Sequence, residues 1–246
     1  MTPLRRDWLA ERDFTLVLGA GFFGFFAHTG LLLALEHQGL QPRRIVGVSA
    51  GALAGGLWAS GLPAERIAEH LVALRREEFW DPAFPWGGWL AGRKFLRKLE
   101  DVLGPTGVEH VEHCPTPFVA VAYDVLALRP RPLATGSLHS AILASCSVPL
   151  MFRPVWRERQ LLVDGGVADR LGASAWRPRE RVLVHALPPR SGLGPVHRDP
   201  RGVGVEAQML VLPELPRVHP YALERGRLAL EHAYQAARAW LAEPTA

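Results

Sequence analysis

Cysteine and lysine are both scarce in this chain. Cys114 and Cys146 are the two cysteines among 246 residues. They form neither a disulfide framework nor a metal-ligand spacing, which argues against small stapled scaffolds and zinc modules. Cys146 lies in an Ala-Ser-Cys-Ser run and reads as a small core residue. Lys94 and Lys98 are the only lysines among 28 basic residues, so the rest are arginines. They are scattered rather than gathered in a stripe, which argues against nucleic-acid binding despite a net charge of +4. A weak attraction to anionic lipid surfaces is compatible with that balance. Residues 1–13 are charged and contain no apolar h-region, so no signal peptide is expected. The expectation is a cytoplasmic protein, with contact at a membrane surface being peripheral. Internal repeats are absent too.

Charge is missing from one long stretch. Residues 14–35 contain no Asp, Glu, Lys or Arg. That length matches the ~20 residues of a membrane span. Gly19, Gly21, Gly24 and Gly30 interrupt it, and His28 sits inside it. A strand, a glycine loop and a buried helix explain it better than a span.

At 246 residues, with 48% hydrophobic and 21% charged content, a single domain over residues 1–246 is expected. Strands and helices alternate. Residues 14–18 and 45–48 read as buried parallel strands, separated by a helix over 25–37. Helices are expected over 50–60, 64–79, 93–103, 140–145 and 221–242, and further strands over 118–124, 127–131, 161–163, 181–187 and 207–212. A Trp/Pro/Gly-rich loop covers 79–90, and a Pro/Gly/Arg-rich loop covers 188–204. Such alternation predicts an α/β fold with a mostly parallel sheet and helices on both faces.

The second strand leads into Gly47-Val48-Ser49-Ala50-Gly51. This G-x-S-x-G run between a strand and a helix is the pattern of a sharp turn that lifts a serine hydroxyl out of the sheet. The first strand leads into Gly19-Ala20-Gly21-Phe22-Phe23-Gly24. As G-x-G-x-x-G it matches a dinucleotide fingerprint. That reading needs an acidic residue at the end of the second strand, and none stands there. Backbone N–H groups of the loop serve equally to hold an oxyanion beside a serine. A third element is Leu161-Leu162-Val163-Asp164-Gly165-Gly166, an apolar run that ends in a carboxylate. An Asp-Gly pair is often only a turn or a cap. His185, His197 and His219 follow in the order of a Ser-Asp-His triad, but only two strands precede Ser49, unlike the usual triad hydrolase. His28 reads as a packed histidine beside the elbow.

Taken in order, the glycine loop, Gly47–Gly51, the run Ala144-Ser145-Cys146-Ser147-Val148-Pro149 and Asp164-Gly165-Gly166 resemble the patatin-like phospholipase family. The resemblance covers residues 14–170. It implies a three-layer α/β/α sandwich that hydrolyses acyl esters of lipids without cofactor or metal. Ser49 would be the nucleophile and Asp164 its base. Gly19, Ala20 and Gly21 would form the oxyanion hole, with Gly24, Gly47, Gly51, Gly165 and Gly166 shaping the turns. Phe23 occupies the slot where that family's loop carries Arg or Lys. Two other readings stay open: a non-catalytic relative that binds a lipid or a partner, and a nucleotide-binding enzyme.

Aromatic residues concentrate in the 79–90 loop, beside Arg93, Lys94, Arg97 and Lys98. Rings and cations together suit a lipid interface. Trp80, Phe84, Trp86 and Trp89 are candidates for a lid or lipid contact. The alternative is that they pack over the core or in a subunit contact.

Overall fold

The computed structural model describes residues 2–83, 88–188, 205–212 and 214–245. In chain order the elements are α1 (Arg5–Glu11), β1 (Thr15–Leu18), α2 (Phe25–His37), β2 (Arg44–Val48), α3 (Ala50–Ala59) and α4 (Ala64–Val72). Then come β3 (Gly88–Leu90), α5 (Arg93–Leu103), β4 (Phe118–Asp124), β5 (Arg129–Leu133), α6 (Leu138–Ser145), β6 (Leu150–Phe152) and β7 (Val155–Arg157). Last are β8 (Gln160–Asp164), β9 (Arg181–Ala186), β10 (Glu206–Val211) and α7 (Gly226–Leu241). The expected mixed α/β fold is present.

Five strands, in the order β10-β9-β1-β2-β4, form the parallel core of the sheet. β5 and β8 pair antiparallel with β4, and β7 closes a hairpin on β8. β3 and β6 form a separate two-stranded ribbon. Alternation along the strands divides the core. Leu16, Leu18, Ile45, Phe118, Ala120 and Leu183 join the large cluster built with α2, α3, α4, α5, α6 and α7. Val17, Val46, Val48, Val119, Val121, Val182 and Val184 face the other way, onto Leu171, Ala175 and Trp176. That second face has the thinner cover.

The uncharged stretch resolves into β1, the glycine loop and α2. Residues 25 to 35 of α2 are all buried, so the helix has no polar face to show. Gly30 lets α7 approach closely, since a Cβ there would sit 2.4 Å from the Leu230 carbonyl oxygen. Among the described residues, no helix is long and apolar enough to cross a membrane.

Helix α1 and strands β6 and β7 are additional to the expected elements, several other ends shift by one or two residues, and three departures are larger. α4 stops at Val72, and the Glu78 carboxylate accepts the Arg75 N–H at 2.7 Å to start a separate short turn. The 79–90 loop contains strand β3, formed by pairing with β6. The closing helix begins at Gly226, because His219 Nδ1 accepts the Tyr221 N–H and holds a turn there. The 188–204 loop lies, apart from Pro188, outside the described residues.

Candidate active site

Ser49 sits between β2 and α3 with φ 54° and ψ −120°, a conformation that non-glycine residues avoid. The turn needs Gly51, since a Cβ there would lie 2.0 Å from the Leu18 carbonyl oxygen. Strain of this kind costs about 1–3 kcal/mol and persists only where surroundings enforce it. Here the C-terminal end of α6 does so. The Ser49 N–H donates to Ser145 Oγ at 2.9 Å, and the Ser145 hydroxyl donates to the Val121 carbonyl at 2.6 Å. The Cys146 thiol donates to the Ser49 carbonyl at 3.1 Å. Cys146 is thus part of the serine's setting as well as a packing residue. Neither role of these two residues was evident from the sequence, although the small-residue run marked the segment.

Asp164 reaches the same place through strand pairing. Ala122 of β4 pairs with both Arg131 and Asp164, so β5 and β8 take opposite edges of β4. Ala120 and Val121 pair with both β5 and β2, so β2 shares its edge with β8. β2 ends at Val48 opposite Val121, and β8 ends at Asp164 opposite Ala122. Two strands running toward each other along one edge therefore bring Ser49 and Asp164 together. The Asp164 N–H also donates to the Ser147 carbonyl at 2.9 Å.

The Asp164 carboxyl is buried, and its two oxygens differ. Oδ1 accepts the Gly166 N–H at 2.7 Å, the cap expected of an ordinary Asp-Gly turn. Oδ2 is buried without a formed hydrogen bond among the described residues. Burial pushes the carboxyl up to about 6. The Ser49 hydroxyl, the Gly166 N–H and the Arg170 charge oppose that rise. Ser49 thus acts on the carboxylate although Oδ2 has no fully formed bond, a common state in free enzymes.

The glycine loop corrects part of the oxyanion expectation. The Gly19 N–H donates to the His185 carbonyl at 3.1 Å, extending the β1–β9 ladder by one residue. The Ala20 N–H donates to the Arg170 carbonyl at 2.7 Å. Both are engaged by the scaffold. The Gly21 N–H donates to no described residue, and Gly21 lines the same cavity as Ser49. Gly24 is packed beneath, where its N–H donates to the Gly21 carbonyl at 2.8 Å. Beneath the loop, His28 Nε2 bonds the Gly19 carbonyl at 2.8 Å, and the Nδ1 atoms of His28 and His185 lie 2.9 Å apart. His28 therefore donates from Nε2, and His185 donates from Nδ1. Burial pulls His28 down to about 4 and His185 well below the ordinary histidine value, so both rings stay neutral. His185 is occupied there, His219 is exposed, and His197 lies outside the described residues.

The cavity at Ser49 is apolar, with a volume of about 120 Å³. Leu53 and Leu57 of α3, Leu71 of α4, and Phe95, Leu99 and Val102 of α5 line it, while His70 and Lys98 add the polar edge. Phe23, also at positive φ, stands in the wall with its ring 6.0 Å from Phe79 and 5.4 Å from Phe25. Trp80 is half-buried, edge-on to Phe79 and to Tyr221. Trp89 is 65% exposed on β3. Phe84 and Trp86 lie outside the described residues. The glycine loop opens on the serine cavity, and the Leu187 side chain fills the space beside Gly21 and Gly24.

The strained Ser49 and the glycine loop open on one apolar cavity, and the opposed ends of β2 and β8 bring the buried Asp164 carboxyl beside that serine. The patatin-like phospholipase family model matches residues 16–175, and the chain belongs to that family. An uncharacterized NTE family protein of Mycobacterium tuberculosis is 35% identical over 158 residues, covering 63% of this chain and 43% of the relative. The neuropathy target esterase of Drosophila melanogaster is 29% identical over 178 residues, covering 68% of this chain and 12% of the relative. The chain thus spans less than half the length of either. VipD from Legionella pneumophila has the same fold with TM-score 0.63 at 12% identity, covering 93% of this chain and 66% of VipD.

Proposed function

We propose that this chain is a serine lipid acyl hydrolase that cleaves acyl esters with Ser49 and Asp164. The observation that carries this is the buried Asp164 carboxyl, raised to about 6 beside a strained serine at the head of an apolar cavity. A carboxylate near that value is a competent base at neutral pH, where an ordinary aspartate is a weak one. The family membership and an esterase among the relatives support the same reading.

In the first step Asp164 takes the Ser49 proton as Oγ attacks the ester carbonyl. The negative oxygen that forms is held by the Gly21 N–H. Collapse breaks the ester bond, and Asp164 returns the proton to the departing alkoxide. Water then attacks the acyl-serine, Asp164 takes its proton, and the carboxylic acid leaves as Ser49 is reprotonated. The acyl chain occupies the cavity lined by Leu53, Leu57 and Leu99. No ionic group of the glycine loop meets the substrate, so neutral esters suit it at least as well as charged phospholipids. Trp89 is the described candidate for peripheral contact with a lipid surface.

A fluorophosphonate probe tests the reading. Labelling of the wild-type protein, lost in Ser49→Ala, supports it; absence of both labelling and ester turnover overturns it. A second reading is a non-catalytic lipid-binding relative, favoured by the engaged Gly19 and Ala20 N–H groups. It predicts stoichiometric fatty-acid binding by the unlabelled protein.

A further inference from the structure

The loop from Gly19 to Gly24 carries no charged residue of its own. A cation reaches it from the far side of the Asp164 turn. The Arg170 carbonyl accepts the Ala20 N–H at 2.7 Å. Its guanidinium Nη2 donates back to the Ala20 carbonyl at 3.2 Å and to the Leu187 carbonyl at 3.4 Å. One residue thus holds both backbone polar groups of Ala20, next to Gly21. The side chain is half-buried, so solvent only partly screens its charge.

The same guanidinium acts on Asp164. Each stabilises the charged form of the other. The remaining groups that face Asp164 are the Ser49 hydroxyl and the Gly166 N–H, which favour its ionised form, and the Cys146 thiol, held protonated by burial and by the carboxylate. Arg170 is the one full positive charge in that set.

We infer that Arg170 is a positioning residue of this site: it clamps Ala20 so that the Gly21 N–H stays free for the reacting oxygen, and it brings a positive charge to the Ala20 side of the Asp164 turn. The inference rests on the Ser49–Asp164 reading. The planar, delocalised guanidinium matters as well as the charge, because its Nη2 alone bridges the Ala20 and Leu187 carbonyls. The sequence did not single out Arg170, since its partners lie 150 and 17 positions away.

Arg170→Gln removes the charge, and Arg170→Lys keeps it without the planar guanidinium. Three readouts separate the roles: kcat and KM on a soluble p-nitrophenyl ester, fluorophosphonate labelling of Ser49, and titration of the Asp164 carboxyl by carbon NMR of labelled aspartate, assigned with Asp164→Asn. Arg170→Gln is expected to lower kcat about tenfold or more with KM little changed. It should also move the Asp164 titration upward, because a charge that favours the carboxylate is lost. Arg170→Lys should restore the titration but not kcat. Wild-type kcat and an unmoved titration in Arg170→Gln would overturn the inference. If Arg170→Gln melts below assay temperature, an undiminished kcat in Arg170→Lys does the same. If wild-type protein never labels at Ser49, the hydrolase reading falls, and the carboxyl titration still decides whether Arg170 charges the site.

Discussion

The Ser145 hydroxyl accepts the backbone N–H of Ser49 at 2.9 Å and donates a hydrogen bond to the Val121 carbonyl at 2.6 Å. This bond ties the strained elbow to β4, the strand against which β8 and its Asp164 also pair. Ser145 is fully buried, so its loss leaves an N–H and a carbonyl without partners. Ser145→Ala is expected to cost about 1–3 kcal/mol of stability. It should also lower kcat more than it raises KM, because the serine is displaced while the cavity stays intact. Chemical denaturation and ester kinetics on one preparation check both; unchanged kcat would show that the elbow holds its shape alone.

Leu57 lies eight residues beyond Ser49 along α3, roughly 12 Å at 1.5 Å per residue. It lines the cavity and is 2% exposed. Leu57→Phe should shorten the cavity without touching the dyad. Turnover of a p-nitrophenyl palmitate should fall at least about tenfold against turnover of the butyrate, the order of loss that one to three kcal/mol of pocket misfit produces. Parallel loss on both esters would place the acyl chain elsewhere.

Ser49 and Asp164 were legible in the sequence because each stands in a local pattern, a strand running into a glycine turn. The opposed ends of β2 and β8 were not, since pairing of both with β4 is a tertiary fact. For the same reason, expectation assigned Gly19 and Ala20 to the oxyanion: a backbone N–H looks free in a sequence whatever acceptor the fold brings to it. His185 and Arg170 bring those acceptors from more than a hundred positions away. Ser145, Cys146 and Arg170 escaped notice because small buried hydroxyls, thiols and a single arginine have no periodicity. The overlong α4 has a local cause. Apolar spacing continues past Val72, but the Glu78 carboxylate draws the chain into a new turn.

Trp89 projects from the β3–β6 ribbon, opposite the 79%-exposed Leu150 side of the same ribbon. Exposed tryptophan next to α5, which begins with Arg93 and Lys94, matches the composition of a lipid-binding surface. Trp89→Ala is expected to weaken co-sedimentation with anionic phosphatidylglycerol vesicles while leaving turnover of a soluble butyrate ester intact. Unaltered sedimentation together with a lowered melting temperature would assign the ring to packing instead.

Burial raises the Asp164 carboxyl from 3.8 to about 6, and this has opposite consequences for activity and stability. Only the ionised carboxylate accepts a proton, so kcat/KM should fall as pH drops through about 6. For stability, the unfolded chain loses this proton near its ordinary value while the folded protein keeps it. Between pH 4 and 6 the folded state therefore binds the extra proton, and rising pH weakens the fold until both states are ionised. The buried charge then costs up to about 3 kcal/mol. Asp164→Asn keeps the acceptor for the Gly166 N–H and removes that charge. It should abolish ester turnover and raise the melting temperature at pH 8, with the gain shrinking toward zero near pH 4. Thermal melts of both proteins across that range decide it: a gain that is absent at pH 8, or equal at every pH, would mean that the carboxylate is not held charged in the folded interior.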